Sequence, residues 1–119
     1  MLARVLEYIK ERYKVEPEYL WASSPQNGAV RNPRNGKWFA VIIGGLAKSK
    51  LGLDSQQKVT VLNLKCDPML SFSFVDNERI FKGYHMNKEH WISVLLDGSV
   101  QMEELLMLVD MSYELVNRK

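Results

Sequence analysis

A single cysteine, Cys66, leaves this chain of 119 residues without an intramolecular disulfide, which suits a reducing compartment. Histidine is nearly as scarce, with only His85 and His90. A zinc or copper site needs three or four ligands at short spacings, and neither Cys-x-x-Cys nor His-Glu-x-x-His occurs, so no metal and no cofactor is expected. A glycine-rich phosphate loop is missing too; Gly44-Gly45 stands alone and reads as a strand end. The longest uncharged apolar run, WFAVIIGGLA (38–47), has 10 residues, well short of the ~18–20 that span a bilayer. Charge interrupts MLARVLEYIKER every few residues, so the first segment has no signal-peptide core. These absences predict a cytoplasmic protein with no membrane contact.

What is present describes one globular domain over 1–119. Hydrophobic residues make up 46% and charged residues 25%, which excludes disorder and permits a proper core. The net charge of +2 hides a strong asymmetry. Residues 31–88 carry ten basic against four acidic side chains, while residues 89–119 carry two against six. A basic middle flanked by neutral and acidic segments is compatible with an anionic partner, although lysines on solvated strand edges produce the same pattern.

Leu2, Val5, Leu6, Ile9 and Tyr13 recur on one helical face, which predicts a first helix that ends by Pro17. Asn35-Gly36 then predicts a hairpin turn between GAVRN (28–32) and KWFAVII (37–43). A polar loop over 45–57 leads to KVTVLNLK (58–65). There Val59, Val61 and Asn63 face one way and Thr60, Leu62 and Leu64 the other. Asp67-Pro68 predicts a short helix with aspartate at its N-cap. RIFKGY (79–84) and HWISVLL (90–96) read as two more strands, joined across HMNKE. Ser99 is placed to cap a last helix whose apolar face is Met102, Leu105, Leu106, Val109, Tyr113 and Val116. The order predicts an α+β fold: an antiparallel β-sheet with the N- and C-terminal helices packed on one face.

Three kinds of chemistry compete for this frame. Arg31, Arg34 and Lys37 bracket the predicted hairpin tip. Lys48, Lys50 and Lys58 mark the long loop, and Lys82 and Lys88 flank the last connection. Cationic hairpin ends suit phosphate contacts, which dominate nucleic-acid affinity, although such tips are also polar simply because they are solvated. The partner expected on this reading is duplex DNA, held through its phosphates by Arg31, Arg34, Lys37, Lys48, Lys50, Lys58 and Lys88, gathered on one side of the body. A second reading is a small-molecule or protein-interaction module with Lys65, Tyr84, His85 and His90 lining a pocket. A third pairs Cys66 with a histidine as a nucleophile, set against the ordinary reading of a lone cysteine as a small buried hydrophobe. No catalytic residue is expected, and the protein is read as non-enzymatic.

Several stretches together resemble the MmcQ/YjbR family of small bacterial proteins. They are KWFAVI (37–42), LGL (51–53), VLNLKCDP (61–68), GYHMNKEHWISV (83–94) and SYELV (112–116), in the family's order. That resemblance implies a frataxin/CyaY-like α+β fold with a double-wing arrangement of hairpins, and a DNA-binding role. Frataxin relatives bind iron through an acidic first helix. The first 30 residues here balance four basic against four acidic side chains, so no iron site is implied. GYHMNKEHW is then a family signature in which Gly83 permits a bend and Trp91 fills the core.

Overall fold

The computed structural model describes residues 1–118; Lys119, expected to close the last helix, lies outside them. Helix α1 spans Leu2–Tyr13 and buries Val5 and Ile9, one turn apart. It stops short of Pro17 because Lys14 turns left-handed (φ 59°) and returns its amide to the Lys10 carbonyl.

Five strands follow: β1 (Gly28–Arg31), β2 (Trp38–Ala47), β3 (Lys58–Lys65), β4 (Ile80–Lys82) and β5 (Trp91–Leu95). They form one sheet in the order β1-β2-β3-β5-β4, with every neighbouring pair antiparallel. Helix α2 (Pro68–Phe74) links β3 to β4, and α3 (Met102–Asn117) closes the fold. The α+β architecture is the expected one. Edge strand β4 is three residues long, and β1 is touched on its outer side by a bridge between Glu18 and Ala29.

The alternation in β3 sorts the two faces of the sheet. Leu62 and Leu64 point into a core shared with Val5 and Ile9 of α1 and with Leu105, Leu108 and Val109 of α3, so both terminal helices cover one face. Each fully buried side chain of this size contributes about 1.5–3 kcal/mol. Ser112 anchors α3 to the strands: its buried hydroxyl accepts the Lys65 amide at 2.8 Å and donates to the Phe39 carbonyl. Val59 and Val61 point the other way, into a smaller cluster with Ile43, Phe81 and Leu95, roofed by Leu51 and Leu53.

Three local expectations are corrected. The strand after Trp38 does not end at the glycines but runs on to Ala47, with a register shift between Ile43 and Leu46. Gly45 takes φ 64° there, and a Cβ on Gly44 would lie 2.7 Å from Gln26, so the glycines make a bulge that the preceding segment leans on. The turn before β2 is wider than a two-residue hairpin: Asn32 and Lys37 close it, with Gly36 at φ 74°. Ser99 does not cap α3, which begins after Gln101; its hydroxyl donates instead to Asp97 at 2.6 Å. The aspartate two residues upstream outcompetes the helix for that serine.

Candidate nucleic-acid interface

Antiparallel pairing decides which cations meet. Arg31 ends β1, Lys65 ends β3, Lys82 ends β4, and Trp38 and Trp91 begin β2 and β5, all at the same end of the sheet. The turn carrying Arg34 and Lys37 lies there too, as does the β4–β5 connection carrying Lys88. The end of α3 joins them, since Asn117 accepts hydrogen bonds from Asn32 and Arg34. Arg34, Lys37 and Arg118 line one recess of about 250 Å³, and Lys50, Lys82 and Lys88 line another of about 200 Å³. Five strands at ~4.8 Å spacing make this rim about 19 Å wide.

Acidic partners are few along it. Glu18 pairs with Arg31 at 3.0 Å, Asp67 is occupied as the N-cap of α2, and Glu89 is exposed. No ion pair engages Arg34, Lys37, Lys65, Lys82 or Lys88 among the described residues. The opposite end is largely neutralised, although Lys58 forms no ion pair there among the described residues. Lys48 pairs with Asp97, and Arg79 with Asp76 and Glu104.

The seven cations expected to act together are therefore divided. Arg31, Arg34, Lys37 and Lys88 belong to the rim, and Lys50 folds over the sheet to meet Lys82 and Lys88. Lys48 and Lys58 sit at the far end, because the turn and the long loop leave β2 in opposite directions. A single surface formed by both hairpin ends is not what the topology builds. Lys65, expected only in the pocket, Lys82, named beside Lys88 but outside the expected set, and Arg118, at the end of α3, complete the rim. Their place depends on strand ends and on the approach of α3, neither visible as a local motif.

Lys65, Tyr84, His85 and His90 do not all converge. Only Tyr84 and His85 are seen to meet, with ring centroids 4.0 Å apart; Tyr84 also lines the recess of Lys50 and Lys82, and His85 a cavity of about 280 Å³. Lys65 stands 5.2 Å from the Trp91 ring centroid, and His90 is exposed. The cavity of His85 lies on the face away from the helices, floored by Val41 and Ile43 and walled by Trp21 and Trp38. Trp21 carried no signal of its own, being outside every strand. Asn63 and Ser93, fully buried and opposite each other on β3 and β5, fix the backbone just before His85. Ser93 donates to Asn63 and accepts the Tyr84 amide, while Asn63 donates to the Tyr84 carbonyl. With Tyr84 held at both backbone groups, His85 takes a left-handed conformation (φ 59°), which is uncommon outside glycine, though histidine adopts it more readily than most residues. Gly83 is needed beside it, since a Cβ there would lie 2.7 Å from the Trp91 Cβ.

Cys66 is buried, and both that burial and the charge of Asp67 push its thiol pKa up, which disfavours a thiolate. Among the described residues no group of three or more His, Cys, Asp or Glu stands close enough to hold a metal. No described helix is long and apolar enough to cross a membrane.

The YjbR family model matches residues 10–115. The chain belongs to the YjbR family. Among relatives, YyaQ of Bacillus subtilis (strain 168) is 38% identical over 117 residues, covering 97% of this chain and 98% of that protein. YbdF of Escherichia coli O157:H7 is 40% identical over 62 residues, covering 49% and 48%. The YjbR fold described above also matches solved structures. A protein from Pseudomonas syringae superposes with a TM-score of 0.89 at 33% identity, covering 95% of this chain and 96% of that one. DR2400 of Deinococcus radiodurans superposes with a TM-score of 0.68 at 26% identity, covering 99% and 77%.

Proposed function

We propose that this YjbR-family protein is a non-enzymatic DNA-binding protein that holds the phosphate backbone along its cationic strand-end rim. One observation carries the reading: Arg34, Lys37, Lys65, Lys82 and Lys88 share one end of the sheet and form no ion pair among the described residues, while at the opposite end Lys48 and Arg79 are held by carboxylates and Lys58 stands apart from the rim. Unpaired cations on a rigid edge attract a polyanion and release its condensed counterions on contact. Contacts of this kind fix position rather than read sequence, so affinity is expected to depend strongly on salt and weakly on base composition.

Fluorescence anisotropy of labelled DNA against salt tests it. Binding in the micromolar range is expected at about 50 mM salt, with a log–log slope that drops by about 0.9 for each rim cation reversed, as in Lys37→Glu or Lys82→Glu. Salt-independent binding, or none at tens of micromolar protein, would overturn the proposal.

A further inference from the structure

The cavity beside the rim suggests which form of DNA is held. We propose that it receives one unpaired nucleobase of the bound strand, an inference that rests on the phosphate-binding reading above. Its volume of about 280 Å³ lies just below the range of drug-sized sites, so it fits a single ring system. Trp21 and Trp38 meet at 5.8 Å with their planes at 75°, so a flat ring stacked on one touches the edge of the other.

Polar groups at the cavity can read a base edge. The side chains of Ser23, Ser24 and His85 make no hydrogen bond among the described residues. Asn27 spends its carbonyl oxygen on the Gly44 amide and keeps its NH2 donor. The indole N–H of Trp38 is sealed from solvent without a partner, so it is no reader; Trp38 contributes its ring.

Charge distinguishes a nucleotide from any other flat ligand. The Arg31 guanidinium, which Glu18 holds at 3.0 Å, lies 5.8 Å from the Trp38 ring, and Lys65, with no ion pair among the described residues, lies beside Trp91 in the same aromatic cluster. A strand following the rim would carry phosphates past these cations while one base turned into the cavity. In a duplex, both faces of a base are stacked and its edge is paired, so entry requires unpairing. The protein is therefore expected to prefer single-stranded over duplex DNA.

All three tryptophans, Trp21, Trp38 and Trp91, belong to this cluster, so intrinsic fluorescence reports on this corner alone. The experiment titrates that signal with oligothymidylate, with a duplex of equal length and with thymidine monophosphate. Quenching by the oligonucleotide and affinity about tenfold above the duplex are expected. Trp21→Ala is expected to weaken oligonucleotide binding about five- to tenfold and leave duplex binding unchanged. Ser23→Phe, which blocks the mouth from an exposed position, is expected to do the same if the first variant folds poorly.

Equal affinity for both forms, or equal losses on both in the variants, would overturn the base site while salt-dependent binding kept the rim. Quenching by the monophosphate with neither polymer bound would keep the cavity and overturn the rim. An equal response to benzene, which has a flat ring without the base's polar edge and does not emit where tryptophan does, would overturn base recognition.

Discussion

The Lys48 ammonium stands 3.2 Å from an Asp97 carboxylate oxygen, tying the start of the long loop to the end of β5. Both side chains are largely covered, at 19% and 24% exposure, so the pair is structural rather than a free charge. Lys48→Ala is expected to cost about 0.5–1.5 kcal/mol in urea denaturation and to leave DNA affinity unchanged.

Lys58 provides the sharper control. It is exposed at the far end of the sheet, away from the rim, so Lys58→Glu should leave the salt slope of DNA binding as it is. Lys82→Glu should lower the slope by about 0.9 and weaken binding several-fold at low salt. Equal losses in the two variants would mean that overall charge, not the rim, sets affinity.

Acid should destabilise the fold through the turn into β4. Burial pushes the Asp76 carboxyl up, but amides of Arg79, Ile80 and Glu78 and the Arg79 guanidinium donate to it, and together they hold it well below the usual carboxylate range. Asp97 moves the same way: burial opposes the shift, and Ser99 and Lys48 outweigh it. A depressed folded-state pKa contributes stability that is complete above the unfolded value of 3.8 and is lost as pH falls below it. Urea midpoints measured downward from pH 6 should fall most steeply below about pH 4. Asp76→Asn should flatten that fall and cost about 1–3 kcal/mol at neutral pH.

Ser112→Val should be among the most damaging conservative changes in α3. It leaves the Lys65 amide and the Phe39 carbonyl without their shared partner in a dry contact. A loss of about 2–4 kcal/mol is expected by denaturation, with helix content retained.

Much of this architecture was legible because periodicity is local. The alternation of Val59 and Val61 against Leu62 and Leu64 sorted the sheet faces, and Leu105, Val109 and Val116 marked the face that α3 buries. The bulge at Gly44-Gly45 was not legible, since Gln26, from outside the strand, packs against it. The grouping of cations was hidden for a topological reason. Lys37 and Lys48 look like neighbours in the chain, but β2 holds them at opposite ends, whereas Arg34 and Asn117 are remote in sequence and share a hydrogen bond. Of the cavity, His85 was the one lining residue among the four expected in a pocket; Trp21 and Asn27 come from a segment with no periodicity.

The two borders of the sheet have a consequence for solubility. A three-residue strand on one side exposes few free backbone groups, and on the other the bridge from Glu18 occupies Ala29. A second molecule seeking to extend the sheet finds little to pair with on either side, which protects the chain against the fibre-forming polymerisation that long, bare strands invite.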